Sequence, residues 1–337
     1  MVKEGYTSLT LPKAYGGEGA TVEDMVVLQT YLGAIDGATA LSVGWHLSVV
    51  GQLYEQHAWE QDMLERFAVE VKKGALVNRA VSEAETGSPT RGARPATHAI
   101  KKDNGFVING VKTFTSMSKR LSHFIVSAYY EEIDTVGFFL ISEDTPGVEI
   151  ADNWNMVGMR ATESHDLILN DVFIPEENFV EIRGAGGKQP NGWILHIPST
   201  YLGIAQAARD YAVDFAKNYS PASIDGVIGD ISTVQQNVGK MESLLLSARH
   251  FLWSTAALYN QQQEIPIWNE TSASKVLVMN QGLEVIDIAM RIVGAKSLEM
   301  ERPLQRYYRD MRAGLHNPPM EDMAYTNIAH SVLGHFK

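Results

Sequence analysis

Three short segments hold the residue types best suited to chemistry. Ala80-Val81-Ser82-Glu83-Ala84-Glu85-Thr86-Gly87-Ser88 closes a β-type run in small and hydroxyl-bearing residues. Lys112-Thr113-Phe114-Thr115-Ser116 sets an aromatic ring among hydroxyls, and Met156-Val157-Gly158-Met159-Arg160-Ala161-Thr162 precedes a run ending in Val172-Phe173-Ile174-Pro175. Such residues can bed a flat cofactor, with peptide N–H groups and hydroxyls meeting ring heteroatoms and Phe114 stacking on a face. They can equally form ordinary barrel edges, and residue type alone leaves both readings open.

Other chemistries are excluded by composition. The sequence contains 0 Cys, which removes thiolate nucleophiles, iron–sulfur clusters, Cys-based zinc sites and redox dithiols. The 10 histidines form no HExxH and no pair at metal-binding spacing on one helix, so no metal is expected. A GxSxG nucleophile signature is also missing. Arg183-Gly184-Ala185-Gly186-Gly187 reads as an interdomain loop, because Lys188-Gln189-Pro190 cannot open the helix that a phosphate loop requires. Tyr15-Gly16-Gly17-Glu18-Gly19 reads as a turn.

The 28 Lys+Arg against 40 Asp+Glu give 28 − 40 = −12, a field that repels nucleic acid and anionic membranes. No apolar run approaches the ~20 residues of a membrane span, and Met1-Val2-Lys3-Glu4-Gly5 lacks a signal-peptide core. No nucleic-acid or membrane partner is expected, and a cytoplasmic location is.

The elements that must position the three segments follow from periodicity. The 337 residues suffice for about two domains. Between Thr21 and Lys73, Met25, Val26, Leu28 and Leu32, then Leu41, Val43, Leu47, Val50 and Leu53, recur at helical spacing, predicting two or three helices broken at Asp36-Gly37. From Ala75 to Ile182 short β-rich runs follow one another without intervening helices, which predicts an antiparallel barrel or sandwich. Asn109-Gly110, between Phe106-Val107-Ile108 and Val111-Lys112-Thr113-Phe114, predicts a type I′ hairpin turn. Helical periodicity returns in Ile194–Tyr219, Ser232–Gln262, Ser272–Val293 and after Met320, predicting a four-helix bundle.

In this order the segments resemble the acyl-CoA dehydrogenase superfamily of flavoproteins over nearly the whole chain. The family's (T/S)-E-P-x-A-G-S-D stretch is similar to Ser82–Pro89, and its K-x-W-I-T to Lys112–Ser116. Its G-x-R-x-(S/T) loop and V-x-(V/I)-P ending resemble Gly158–Thr162 and Val172–Pro175. Its G-G-x-G and later R-D pair resemble Val293-Gly294-Ala295-Lys296 and Arg309-Asp310. The resemblance implies a multidomain α+β fold: an N-terminal helical domain over residues 1–75, a middle antiparallel β-barrel over 76–185 and a C-terminal four-helix bundle over 186–337. The chain starts roughly two helices short of the family pattern.

The resemblance further implies FAD, with FMN or diffusible reduced flavin as alternatives, and a homodimer or homotetramer. By carry-over, Val81 and Ser82 meet the flavin's pyrimidine edge; Phe114, Thr115 and Ser116 line the ring; Gln235 and Gly294 approach the dinucleotide from a partner subunit. Ser88 and Arg160 are expected near the substrate. The implied substrate is an acyl-CoA or another small molecule, with an electron-transfer flavoprotein or a flavin reductase as redox partner.

Departures from the family pattern open alternatives. In many members a glutamate follows the R-D pair at fixed distance, and the count from Asp310 reaches Pro318. Other members carry it ahead of a Leu-Gly, and the count back from Gly203 reaches Trp193. A positioned base contributes roughly 10²–10⁴ in rate, so another group must substitute or the reaction differs. Glu163, Asp322 and Glu85 are candidate carboxylates. His316 in His316-Asn317-Pro318 and His46 in Gly44-Trp45-His46 are the catalytic candidates, because the superfamily's flavin monooxygenases carry histidines at these two places. Lys217-Asn218-Tyr219-Ser220-Pro221 replaces the R-x-x-F-G turn and lacks its phosphate-binding arginine. The expectation is therefore an acyl-CoA dehydrogenase-like enzyme without its usual glutamate, with a two-component flavin monooxygenase as alternative and an inactive binding homologue as a third reading.

Overall fold

Thr21 opens the first long helix by a reciprocal cap: its hydroxyl accepts from the Asp24 N–H at 3.2 Å while the Asp24 carboxylate accepts from the Thr21 N–H at 2.9 Å. That helix, α1, spans Val22–Ile35. Asp36 then caps the next by accepting from the Thr39 N–H at 2.8 Å, so α2 (Gly37–Glu55) starts at once. Helix α3 (Gln61–Lys73) buries Met63, Leu64, Phe67, Ala68 and Val71 on one face and stops at Gly74. The computed structural model describes residues 1–87, 94–184, 191–261 and 267–334.

The chain divides into two compact units. The first comprises Met1–Ala20, Trp45–Asn155 and Arg160–Trp193; the second comprises Thr21–Gly44, Met156–Met159 and Ile194–Lys337. Helix α2 thus passes from the second unit into the first at Gly44 and Trp45.

The first unit is built on strands β1 (Val77–Ala80), β2 (His98–Lys102), β3 (Gly105–Lys112), β4 (His123–Tyr130), β5 (Thr135–Ser142), β6 (Val148–Ile150), β7 (Leu167–Pro175) and β8 (Phe179–Ile182). They pair in the order β6-β7-β3-β2-β4-β5-β8, with β1 also on β4. The sheet is mixed where an antiparallel one was expected, because β1 and β2 both run parallel to β4. Alternation along each strand serves two cores. Phe124, Val126 and Ala128 join Phe106, Ile108, Phe139 and Leu169 on one face. Ile125 and Leu140 point the other way, to Val50, Leu53, Leu64 and Phe67 of α2 and α3.

Asn109-Gly110 is not the expected hairpin turn. Asp103 and Asn104 turn the chain from β2 to β3, and β3 runs on through Asn109 and Gly110 with a register shift against β7. The bulge is matched across the sheet: Asn109 Nδ2 donates to Asp171 Oδ1 at 3.0 Å, and Asn109 Oδ1 accepts from the Asp171 N–H at 2.8 Å. Gly110 has φ 153, and a Cβ there would lie 2.4 Å from Thr97 Oγ1, so glycine serves a close approach.

One buried ion pair ties the sheet to the loop after β1. Lys112 Nζ lies 2.6 Å from Glu83 Oε1, with the two side chains 0% and 4% exposed. Nζ also donates to Ser127 Oγ of β4 at 3.1 Å. The Glu83 carboxylate accepts besides from the Thr86 hydroxyl and the Ala96 and Thr97 N–H groups. Burial pushes the Glu83 carboxyl up, but the hydrogen bonds from Lys112, Thr86 and Thr97 outweigh it and hold it at about 2. Burial pulls the Lys112 ammonium down to about 8 against the pull of Glu83.

The second unit packs α4 (His196–Asn218), α5 (Ser232–Asn260), α6 (Trp268–Val293), α7 (Leu304–Ala313) and α8 (Glu321–Val332) together with α1. Helix α4 buries Tyr201, Ile204, Ala205, Ala208 and Ala212 against α1 and α6. Helix α7 was not expected. No helix among the described residues is long and apolar enough to cross a membrane.

Glu83→Gln leaves a buried ammonium without its counter-charge and is expected to cost about 3–5 kcal/mol by urea denaturation. Adding Lys112→Met should recover much of that loss; a double variant as unstable as the single one would show that the pair is not the source. The depressed Glu83 carboxyl stabilises the fold fully above its unfolded value of 4.5, and that share is lost as pH falls through about 2. Wild-type melting temperature should drop over that window by more than that of the Gln variant.

Candidate functional site

In the first unit, β1 runs into Val81 and Ser82, and Glu83 and Gly87 exchange N–H···O bonds of 2.9 and 3.0 Å around a tight turn. The Thr113 N–H donates to the Ser82 carbonyl at 2.8 Å, which brings the loop after β1 beside the exit of β3. The exit is then fixed to a third segment: Thr115 N–H donates to His165 O at 3.3 Å, and Met117 N–H to Thr162 O at 2.9 Å. Ser164 Oγ donates to Ser116 Oγ at 3.0 Å and is itself 2.8 Å from Thr162 Oγ1. Ser82, Thr113–Ser116 and Thr162–His165 are thereby brought together.

The bed so formed has a polar edge and an aromatic face. Thr113 Oγ1 and Thr115 Oγ1 are buried with no hydrogen-bond partner among the described residues. Buried hydroxyls of this kind lose roughly 1–3 kcal/mol unless something completes them. Phe114 between them stands out at φ 56 and 60% exposure, with Trp154 edge-on at 6.0 Å. His165 Nδ1 accepts from the Asn153 and Trp154 N–H groups at 3.0 and 2.9 Å, so His165 holds the segment that carries Trp154. Orphaned hydroxyls beside a protruding aromatic ring fit the heteroatom edge and face of a flavin.

The other expected site residues stand as follows. His46 is fully buried; its Nε2 donates to the Thr7 carbonyl at 2.7 Å and its Nδ1 accepts from the Val77 N–H at 3.1 Å. Burial pulls this imidazole down to about 4, with the two backbone contacts opposing. A neutral ring with both nitrogens committed cannot serve substrate, so His46 is corrected from a catalytic candidate to a structural tie. Arg160, Glu85 and Glu163 are exposed, and Glu163 sits 3.5 Å from Lys119. Trp193 is buried with its indole N–H on Glu55 at 2.7 Å. Ser88 lies outside the described residues.

In the second unit the Gly158 and Arg309-Asp310 motifs meet. A Cβ on Gly158 would fall 2.2 Å from the Arg309 carbonyl oxygen. Asp310 Oδ1 accepts from the Met159 N–H at 2.6 Å, and Arg309 Nη1 donates to Val157 O at 2.7 Å. Burial raises the Asp310 carboxyl, while the Met159 N–H and the Arg306 and Arg309 charges oppose. Beyond α7, His316 is exposed, and its neighbour Asn317 accepts from the buried Tyr201 hydroxyl at 2.6 Å. Pro318 follows. Gln235 is exposed on α5 and donates to Gly229 O at 3.1 Å; Gly294, exposed at φ 69, ends α6, and Asp322 is exposed on α8. Lys275 of α6, which no sequence motif marked, is 2% exposed.

Comparisons place this geometry in a family. Residues 78–172 match the acyl-CoA dehydrogenase middle domain and residues 195–317 the acyl-CoA dehydrogenase C-terminal domain. YdbM of Bacillus subtilis (strain 168), provisionally named an acyl-CoA dehydrogenase, is 55% identical over 327 residues, covering 96% of this chain and 86% of its own. The amino sugar nitrososynthase RubN8 of Streptomyces rubradiris is 26% identical over 335 residues, covering 93% and 77%. In fold, the butyryl-CoA dehydrogenase structure from Megasphaera elsdenii superposes with TM-score 0.88 at 19% identity, covering 98% of this chain and 88% of that one. The chain belongs to the acyl-CoA dehydrogenase superfamily, whose members are flavoprotein oxidoreductases.

Proposed function

We propose that the protein is a flavin-dependent oxidoreductase that dehydrogenates an acyl-CoA between Cα and Cβ, with FAD as its flavin. The observation that carries this reading is the meeting of Ser82, Thr113–Ser116 and Thr162–Ser164 around two orphaned buried hydroxyls. A flavin held there supplies a two-electron acceptor for hydride. Val81 and Ser82 would hold its pyrimidine edge, Thr115 and Ser116 its polar margin, and Phe114 a ring face. Ser88 and Arg160 would serve substrate, while Gln235 and Gly294 of one subunit would serve its neighbour's dinucleotide in a homodimer or homotetramer. An electron-transfer flavoprotein, a cytoplasmic location and domain limits at residues 75/76 and 185/186 belong to the same reading.

Two observations favour a second reading. Pro318 stands where the resemblance calls for a glutamate, and RubN8, a nitrososynthase, aligns over most of the chain. A monooxygenase that uses externally reduced flavin and O₂ would need no such carboxylate, and exposed His316 would be its catalytic candidate.

Anaerobic addition of acyl-CoA separates the two. The dehydrogenase reading expects the visible flavin band of the holoenzyme to bleach. A band that persists with every acyl-CoA, together with O₂ consumption when a flavin reductase is supplied, would transfer the assignment to the second reading. Phe114→Ala should cost about 1 kcal/mol of flavin binding, a roughly fivefold rise in Kd. An unchanged Kd would place the ring elsewhere.

A further inference from the structure

Both aromatic rings of the bed are tied to one residue, His165, which lies outside the sequence motifs. His165, Phe114 and Trp154 all belong to the first unit, and His165 is 4% exposed. Its carbonyl accepts from the Thr115 N–H at 3.3 Å, which fixes the backbone directly after Phe114. Its ring nitrogen Nδ1 accepts from the Asn153 N–H at 3.0 Å and the Trp154 N–H at 2.9 Å. The Trp154 ring then stands edge-on to Phe114, with centroids 6.0 Å apart and planes at 84°. One residue thus sets the backbone of Phe114 and the neighbour of its ring.

The surroundings also fix the tautomer. Two N–H groups converging on Nδ1 require a lone pair there, so the ring hydrogen sits on Nε2. Nε2 is buried with no hydrogen-bond partner among the described residues, 3.5 Å from Glu163 Oε2 and 3.8 Å from Asp152 Oδ1. Lys119 holds both carboxylates, at 2.7 Å from Asp152 and 3.5 Å from Glu163. Negative charge on that side favours a hydrogen on Nε2 and so keeps the lone pair on Nδ1.

We propose that His165 is the positioning residue of the flavin bed, setting the Phe114 backbone through its carbonyl and the Phe114 ring through Trp154. This deepens the flavin reading and rests on it. Phe114 is 60% exposed on a left-handed backbone at φ 56, so its ring reaches solvent from a strained position. A ring that turns freely loses that freedom when a flat ligand stacks on it, and a ring already held loses less. Trp154 supplies the hold, and Nδ1 of His165 keeps Trp154 in place. The effect of His165 on the flavin therefore passes through Phe114.

The test titrates flavin-free full-length protein with FAD and reads Kd from the shift of the visible flavin band. His165→Gln, whose amide sits one bond farther out than Nδ1, should raise Kd roughly threefold. His165→Asn, whose Oδ1 takes the place of Nδ1, should bring Kd back to the wild-type value. Trp154→Ala should raise Kd by about the same factor as His165→Gln, and it needs no change at position 165. In a Phe114→Ala background His165→Gln should add nothing, because the ring through which it acts is gone. Near-ultraviolet circular dichroism of the flavin-free protein should change in the Gln variant and not in the Asn variant. A merely structural histidine would lower the melting temperature without this dependence on Phe114. An unchanged Kd in His165→Gln or in Trp154→Ala, equal values for the Gln and Asn variants, or an undiminished effect in the Phe114→Ala background overturns the role of His165. Failure of the wild-type protein to take up FAD overturns the flavin reading itself, and this proposal with it.

Discussion

The buried pair between Glu83 and Lys112 is the constraint on which the rest of the first unit depends. Removing two charges from water costs several kcal/mol per ion, and the cost is met only where every lone pair and proton finds a partner. Here the Glu83 carboxylate takes Lys112, the Thr86 hydroxyl and two backbone N–H groups, while Lys112 reaches Ser127 on β4. The pair thus fixes the loop after β1 against the exit of β3. With that distance set, Thr113 bonds Ser82 and Thr115 bonds His165. Phe114, caught between, holds a left-handed backbone that an aromatic residue seldom adopts, a strain of order 1 kcal/mol or more. Ring exposure and orphaned hydroxyls both follow from that local geometry.

In the second unit the corresponding device is a contact between backbones. Gly158 permits the Arg309 carbonyl to approach, and Asp310 then takes the Met159 N–H, so two motifs distant in sequence become one joint. The connection after α7 is held by Tyr201 through Asn317 and offers a proline in place of a carboxylate.

Much of this was legible in the residues, and what was not has identifiable causes. Helices α1 to α6 and α8 follow from hydrophobic period, since that signal is local. The three chemical segments stood out by residue type alone, and only the fold shows that the backbones around Ser82, Thr113–Thr115 and Thr162–His165 bond to one another. Asn109-Gly110 misled because turn propensity is local, whereas the bulge is decided by Asp171 across the sheet. Parallel pairing of β1 and β2 with β4 depends on long-range register and leaves no local mark. His46 matched a motif, but its burial between Thr7 and Val77 gives it another task. The burial of Lys275 was not legible, because a lysine on a helix reads as a solvated charge and only packing reveals that it is inside.

The proposed redox chemistry requires that the Phe114 bed receive a flavin. A crystal structure of the protein with FAD tests it most directly. The ring is predicted against Phe114, with its heteroatom edge completing the Thr113 and Thr115 hydroxyls. A flavin found elsewhere, with those hydroxyls still unmet or satisfied by water alone, would contradict it.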